Sequence, residues 1–348
     1  MSHPSLEPPR ASTARTSLEA LLPLLRCPAT GAELHRDEGG YLTSVDGGRR
    51  YPVVDGVPVL IRAERSLFDL GDYVDGNGRS TRRERARRGF APAGRPRSWS
   101  ALVRRLARLP PSISKNVAAR DNYRELARLL ESGRESRGRK ALVLVIGGAT
   151  VGDGIEVLAQ SPSVQLVETD VALGPRTQVA CDAHELPFPD GAFDAVVCQA
   201  VLSHVPDPFQ VASEIHRVLT SHGLVYSETS FMQQVCEGDQ DFTRWTLLGH
   251  RRLFRCFEEL RSGAQCGPGM ALAWSIQFFL LAFAGRSWIA HAAIRRLVSL
   301  ATFWLKYLDR FLARTPGGLD AASGTYFLGR RRQTPVADRE IVAAFRGV

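Results

Sequence analysis

The chain of 348 residues lacks several features that would assign it to a simple class. It has no run of the roughly 20 apolar residues that a membrane-spanning helix needs. Its first residues, MSHPSLEPPRASTARTS, contain no apolar core of a secretory signal, and we therefore expect a cytoplasmic protein. A CxxC pair is also missing, so the sequence indicates neither a metal site nor a disulfide framework. The cysteines are scattered as Cys27, Cys181, Cys198, Cys236, Cys256 and Cys266.

Basic residues outnumber acidic ones in the first third of the chain. The net charge is +9, and residues 1–117 carry 20 Lys and Arg against 12 Asp and Glu. Much of the excess lies between Arg79 and Trp99, where Arg, Gly and Pro dominate. This composition predicts a flexible, solvated linker; contact with nucleic acid or an anionic membrane is the alternative. The near-neutral remainder of the chain gives no strong nucleic-acid signal.

A small β-rich module is predicted ahead of this linker. Short apolar runs at Tyr41–Val45 and Tyr51–Ile61 are separated by Gly-Gly and Asp-Gly turns. The pattern CPxxGxxL…YPVxDGxPVLI resembles the zinc-ribbon-like domain of the tRNA-methyltransferase activator family. Cys27 stands alone where that family has two cysteines, and one thiolate cannot form a tetrahedral site. We therefore predict a metal-free module that packs on the larger domain.

Alternating strands and helices predict the fold of that larger domain. Buried strands at Ala141–Ile146, Val164–Glu168, Ala195–Cys198 and Gly223–Glu228 are separated by turns and helices. Two later strands are expected near Phe257–Ser262 and Gly324–Gly329, which makes six strands with assigned ranges. The predicted fold class is α/β, a Rossmann-like seven-stranded sheet with helices on both faces. Such sheets bind ligands at the carboxyl ends of their strands.

The glycine-rich turn in VLVIGGATVGDG, residues 143–154, follows the first of these strands. Glycines there allow a ligand to approach the backbone, although they also serve to pack a helix on a sheet. Asp170 ends the second strand and is placed to bind both hydroxyls of a ribose.

With VACDAHELPFPDGAFDAVVCQAVLSHVPDP, residues 179–208, this combination resembles class I S-adenosylmethionine-dependent methyltransferases, especially the ubiquinone-biosynthesis group. The resemblance implies S-adenosyl-L-methionine as the cofactor. By resemblance, the Gly147, Gly148 and Gly152 turn lines the amino-acid part of the cofactor, and Asp170 holds the ribose. The remaining implied contacts are adenine at Asp182 and Ala183 and the reactive methyl near Gln199.

The first motif departs from the family pattern at two positions. Val145 replaces the usual carboxylate two residues before the first glycine, and Ala149 replaces a glycine. Loss of the carboxylate affects recognition of the amino group of the cofactor. Asp153 is the nearby residue that would compensate.

The acceptor side is predicted from polar side chains after the strands at Ala195–Cys198 and Gly223–Glu228. His204 is the candidate general base for a hydroxyl acceptor; a purely structural histidine at a helix start is the alternative. The loop after the strand Gly223–Glu228 offers amides and carboxylates suited to a polar acceptor; a well-bonded surface loop is the alternative. The candidate acceptor residues are Glu228, Gln233, Gln234, Asp241 and Arg244.

The last third of the chain predicts a helical insertion at about residues 268–314. Its helices are expected at Met270–Ala284 and Ala293–Ala313, and the second is amphipathic. Packing on the sheet, a homodimer, or peripheral contact of residues 270–313 with the inner face of a membrane would cover the apolar face.

The sequence therefore predicts a methyltransferase for a small-molecule, sugar or lipid-linked acceptor, with O-methylation favoured. A catalytically weak scaffold or activator and an RNA methyltransferase are the alternatives. The predicted segments are a flexible N-terminus 1–23, the module 24–65, the Arg-rich linker 66–114, the methyltransferase domain 115–332 and a tail 333–348.

Overall fold

Two sheets organise the chain in the computed structural model, which describes residues 17–74, 111–236, 238–285 and 287–348. The predicted flexible start up to residue 16 and most of the predicted linker, residues 75–110, lie outside the described residues. The strands are β1 Leu34–Arg36, β2 Leu42–Ser44, β3 Arg50–Tyr51, β4 Val53–Val54, β5 Val57–Leu60, β6 Ala141–Ile146, β7 Val164–Asp170, β8 Val179–Cys181, β9 Phe193–Gln199, β10 Leu219–Ser230, β11 Phe257–Cys266 and β12 Gly324–Arg331.

Helices cover both faces of the larger sheet and form the C-terminal insertion. Several begin at a capping side chain; the Asp207 carboxylate, for example, accepts from the Gln210 amide before a proline in the first turn. They are α1 Leu18–Leu21, α2 Gly71–Val74, α3 Ala119–Ser132, α4 Arg134–Arg137, α5 Glu156–Ala159, α6 Pro208–Val218, α7 Leu247–Leu253, α8 Pro268–Leu281, α9 Trp288–Thr302, α10 Leu305–Leu312, α11 Pro316–Asp320 and α12 Asp338–Ala343.

The predicted Rossmann-like sheet is confirmed. Its strand order is β11-β12-β10-β9-β6-β7-β8-β5-β4. The strands from β10 through β9, β6, β7 and β8 run parallel, and β12 lies antiparallel between β10 and β11. The carboxyl ends of β6, β7, β9 and β10 therefore share one edge, where ligands of such sheets bind.

The N-terminal module is joined to this sheet rather than only packed on it. Its strand β5 pairs in parallel with β8, with Val59 opposite Ala180 and Leu60 opposite Cys181. This extends the seven predicted strands to nine. Leu25 and Leu42 of the module lie in the same buried cluster as the β9 residue Phe193.

The sequence predicted one continuous second helix in the insertion, at Ala293–Ala313, and this prediction is wrong. The chain breaks at Phe303 and Trp304, so that α9 and α10 are separate helices. The polar residues Lys306 and Asp309 are buried, because the Asp309 carboxylate accepts from the Gly269 and Met270 amides at the start of α8. Most apolar side chains of α10 point outwards as a result.

Among the described helices, none combines the length and the apolar character that crossing a membrane would require.

Candidate active site

Two cavities meet at the carboxyl edge of the sheet. The first has a volume of about 750 Å³ and extends from the glycine turn past the end of β10. The second, of about 410 Å³, lies between β8 and the N-terminal module. Both are lined by Asp170, His204 and Gly147. The two spaces therefore offer room for one elongated ligand that passes Asp170.

The glycine turn leaves no room for side chains at Gly147 and Gly152. Gly147 has φ +79°, and a Cβ there would lie 2.4 Å from Cγ2 of Val201. A Cβ on Gly152 would lie 1.9 Å from Oε1 of Gln199. The Gln199 amide is itself held, since its Nε2 donates to Glu228 at 2.7 Å. Both glycines line the first cavity. The predicted Gly148 lines neither cavity, and a Cβ there would lie 3.1 Å from Cβ of Glu168.

Asp170 is fixed by the turn that it faces. Its Oδ2 accepts from the Ala149 amide at 3.1 Å and its Oδ1 from the Ala172 amide at 2.9 Å. Helix α5 begins only at Glu156 and has four residues, so the turn itself, rather than a long helix, presents backbone to the cavity. The predicted ribose residue thus stands where the two cavities join.

Asp182 lies in the wall of the second cavity, as the adenine assignment requires, beside the buried Ala183. Its Oδ1 accepts from the His184 amide at 3.0 Å and pairs with Nδ1 of that ring at 2.6 Å. Its Oδ2 accepts from Oγ of Ser66 at 2.5 Å. Burial opposes ionisation, but the hydrogen bonds from His184 and Ser66 lower the pKa of Asp182 below its usual value.

The N-terminal module completes the second cavity, which the sequence did not reveal. Residues 64–68 line it. Arg62 and Arg65 both pair with Glu185, at 3.3 and 3.0 Å, and the Tyr73 hydroxyl donates to the Val171 carbonyl at 2.5 Å. No motif marked these residues, which lie around the predicted boundary between the module, 24–65, and the linker, 66–114.

A buried polar network forms the floor of the first cavity around Glu228. Gln199 and Asn116 donate to Oε2 of Glu228 at 2.7 and 2.9 Å, and the Tyr226 hydroxyl donates to Oε1. Burial raises the pKa of Glu228, although these three hydrogen bonds oppose the rise. Asn116 and its neighbours Ser114 and Lys115 line the cavity without having been predicted.

His204 lies between the cavities, and its tautomer is set by the backbone. Nδ1 contacts the carbonyl oxygen of Gln240 at 2.9 Å. Because a carbonyl oxygen only accepts, Nδ1 carries the proton, and Nε2 of the neutral ring is a proton acceptor. His204 therefore makes a backbone hydrogen bond and also lines both cavities, and its role as a general base stays a prediction.

The five predicted acceptor residues divide into two groups. Glu228 and Gln233 line the first cavity. Gln234, Asp241 and Arg244 line neither cavity. The Arg244 guanidinium pairs with Asp241 and donates to the carbonyl oxygens of Gln233 and Gln234, at 2.8 and 3.0 Å. These charges therefore hold the loop in shape, and the sequence did not distinguish this role from acceptor binding.

Two carboxylates border the position where the family motif has an acid. Val145 lines the first cavity, and so do Asp153 and Glu168. Glu168 is paired with the Arg176 guanidinium. Asp153 accepts from Gln199 through its backbone carbonyl at 3.1 Å, which leaves its carboxylate as the better candidate for a cationic amino group.

The cysteines give no metal centre in the described part of the chain. No group of three or more His, Cys, Asp or Glu side chains suited to a metal occurs among the described residues. Cys27 is buried and lies 3.2 Å from the Tyr51 hydroxyl. This thiol contributes to the core of the module.

Sequence comparisons support the two parts of the chain separately. Residues 147–227 match a family described as a methyltransferase domain. Over 76 residues the chain is 38% identical to a demethylmenaquinone methyltransferase of Lysinibacillus sphaericus (strain C3-41), covering 22% of this chain and 27% of that enzyme. The chain thus spans about a quarter of that relative. These matches support the class I domain and S-adenosylmethionine as its cofactor.

The chain also matches a short protein. Over 58 residues it is 40% identical to a UPF0434 protein of Marinomonas sp. (strain MWYL1), covering 16% of this chain and 89% of that protein. This match gives support to a distinct small module.

Solved structures that align with the chain include methyltransferases. One is described as a sarcosine dimethylglycine methyltransferase of Galdieria sulphuraria, at 18% identity and a TM-score of 0.37, covering 60% of this chain and 86% of that chain. Another is Haemonchus contortus phosphoethanolamine N-methyltransferase 2 with S-adenosyl-L-methionine, at 14% identity and a TM-score of 0.37, covering 69% and 62%. At these TM-scores the alignments carry no information on the acceptor.

Proposed function

We infer that the chain is an S-adenosylmethionine-dependent methyltransferase. It belongs to the UPF0434 family over 58 residues, and its residues 147–227 match the methyltransferase domain family. The observation that carries this inference is the meeting of two cavities at Asp170, beside a glycine turn with no room for side chains. The bound cofactor supplies a methyl group on a sulfonium, whose transfer leaves a neutral thioether.

Different residues of this chain would bind different parts of the cofactor. Asp182 would accept a hydrogen bond from the adenine amino group, and Asp170 would accept from the ribose hydroxyls. The turn at Gly147–Gly152 would lie against the amino-acid part, and Asp153 would pair with its ammonium in place of the acid that Val145 replaces. Ser66 of the module, which donates to Asp182, keeps that carboxylate oriented towards the second cavity.

We propose a hydroxyl acceptor, with His204 as general base. In-line displacement forms the acceptor oxygen–carbon bond as the sulfur–carbon bond breaks, and Nε2 of His204 takes the hydroxyl proton. The hydrogen bond from Nδ1 to the Gln240 carbonyl stabilises the imidazolium that forms. The enzyme otherwise acts by aligning the two reactants.

The first cavity, in which we place the acceptor, favours a small polar molecule such as a sugar. Its wall presents the amides of Asn116, Gln233 and Gln265 with the hydroxyls of Ser112 and Ser230. Several donors and acceptors at fixed positions recognise a hydroxylated ligand, because each unmatched buried group would cost free energy.

Calorimetry with S-adenosylmethionine tests the cofactor site. We expect micromolar binding to the wild type and a loss of about 1 to 3 kcal/mol in Asp170→Ala, because bonds to buried hydroxyls are no longer made. The control is Asp190→Ala, whose side chain is 81% exposed and which should bind as the wild type. Absence of binding by the folded wild type would instead favour a scaffold or activator.

A methylation assay tests the acceptor assignment. The protein is incubated with S-adenosylmethionine and glycans or glycolipids, and products are analysed by mass spectrometry for the added methyl group and its atom. His204→Gln should lower the rate by about 100-fold and leave cofactor affinity within about twofold, because the ring acts on the acceptor. An unchanged rate, or methylation at nitrogen or carbon, would contradict the general-base role.

A further inference from the structure

The helical insertion between β11 and β12 carries an apolar surface that is uncovered within the described part of the chain. Half of the exposed large apolar side chains among the described residues lie between Leu272 and Leu312. Phe283 is 76% exposed, Phe311 73% and Leu297 67%. We call this surface, on α8, α9 and α10, the outer face of the insertion.

The outer face follows from the way in which α10 is anchored. Asp309 and Lys306 point inwards, where Asp309 accepts from the first amides of α8 and Lys306 donates to the Ser112 carbonyl. The opposite side of the same helix therefore points outwards. Trp304, Tyr307 and Phe311, at helical spacing, lie on it and are each at least half exposed.

The charge of the insertion has one sign on the outside. Residues 268–314 contain five arginines, one lysine and a single acidic residue, Asp309. Because Asp309 and Lys306 are both buried, the exposed charged side chains among the described residues of the insertion are all cationic. They are Arg295, Arg296, Arg310 and Arg314.

We propose that the outer face of the insertion binds the surface of an anionic lipid bilayer. Aromatic and aliphatic side chains would enter the interface between headgroups and acyl chains, and the arginines would pair with lipid phosphates. Helix α8 has 14 residues, which at about 1.5 Å per residue is too short to span the hydrocarbon core. The contact is therefore peripheral.

Charge complementarity selects a membrane over a second copy of the chain. A two-fold interface would bring the same arginines of two copies together without exposed carboxylates to pair with them. An anionic lipid surface supplies the missing negative charge.

The membrane contact would lie beside the acceptor cavity. Met270 on α8 lines the first cavity, and so does Ser112, which α10 holds through Lys306. A bilayer on the outer face would therefore bring lipid-linked acceptors near the site. The binding itself does not depend on the proposed reaction.

Vesicle flotation of the full chain tests this proposal. The wild type should float with phosphatidylcholine vesicles that contain phosphatidylglycerol and remain unbound with phosphatidylcholine alone, and salt should weaken the binding. The pair Phe283→Glu and Phe311→Glu should lower the partition coefficient at least about tenfold, because charge replaces apolar contact. Arg310→Glu with Arg314→Glu should act in the same direction.

Val342→Glu is the matched control, since Val342 is 65% exposed on α12, outside the insertion in sequence, and it should float as the wild type does. Calorimetry with S-adenosylhomocysteine verifies that every variant is folded. The proposal is overturned if the wild type fails to float, if the Phe283 and Phe311 variant floats as well as the wild type, or if ultracentrifugation finds a dimer that this variant abolishes without any vesicle binding.

Discussion

At the scale of single residues, the site combines two carboxylates of different surroundings. Asp170 accepts from the backbone amides of Ala149 and Ala172 and lines both cavities. Asp182 is held by side chains from two directions, His184 and Ser66. Both are buried; Asp170 is the last residue of β7, and Asp182 directly follows β8. A ligand that passes both would meet two fixed hydrogen-bond acceptors at a defined separation.

The replacement of the motif acid by Val145 makes a prediction for Asp153. Asp153→Asn should weaken S-adenosylhomocysteine about tenfold or more, because an ion pair with the ammonium is lost. Methylthioadenosine lacks the amino-acid part and should bind within about twofold of the wild type. Competition calorimetry measures both.

Asp170→Asn serves as the contrasting variant for this experiment. It should weaken both ligands, because both carry the ribose. If Asp153→Asn affects the two ligands equally, or neither, Asp153 does not bind the amino group.

At the scale of elements, helix α7 is fastened to the sheet by one buried histidine. His250 pairs through Nε2 with Oγ of Ser227 on β10 and through Nδ1 with Oγ1 of Thr325 on β12, both at 3.0 Å. Its ring is fully buried, and burial lowers the pKa of His250 to about 3. The folded protein therefore holds this ring neutral.

This burial predicts a pH dependence of stability. The unfolded chain binds a proton at His250 below about pH 6.5, whereas the folded chain does not until about pH 3. The contribution to stability is thus present above the unfolded pKa and falls as the pH falls through it. Between pH 7.5 and 5.5, we expect this residue to cost about 1 kcal/mol of unfolding free energy.

Urea denaturation at several pH values measures the effect. His250→Gln should be less stable at neutral pH and should show a shallower decrease on acidification. His222→Gln, at an exposed position, should keep the wild-type slope. An equal slope in His250→Gln would show that this ring does not cause the dependence.

At the scale of the whole molecule, the N-terminal module and the catalytic sheet form one folding unit. Strand β5 extends the sheet beside β8, and one buried cluster contains both Leu42 of β2 and Phe193 of β9. Residues 64–68 reach the second cavity. Loss of packing in the module should therefore reach the cofactor site.

Leu42→Ala tests this coupling. Leu42 is fully buried, and its truncation should lower the unfolding free energy by about 2 to 5 kcal/mol in a single transition. Fluorescence-monitored denaturation, with and without S-adenosylhomocysteine, measures it. Val45→Ala, where the side chain is 59% exposed, should leave the midpoint almost unchanged. Two separate transitions, with ligand binding retained after the first, would contradict a single unit.

The sequence by itself determined six strands of the larger sheet, and it predicted cofactor residues of which several line the two cavities. Strand β6 occupies the predicted Ala141–Ile146, and Asp170 and Asp182 both border cavities. Apolar runs between turns and short motifs are local signals, so one chain segment suffices to reveal them.

Only the tertiary structure decided which distant groups meet. It joined β5 to β8, brought Ser66 to Asp182, and turned Lys306 and Asp309 inwards. It also held Arg244 and Asp241 in a loop rather than in the cavity. Most of these outcomes depend on partners that are many residues away along the chain. Where such a partner exists, a charged side chain can be buried and an apolar one exposed, which is the reverse of what the local sequence pattern predicts.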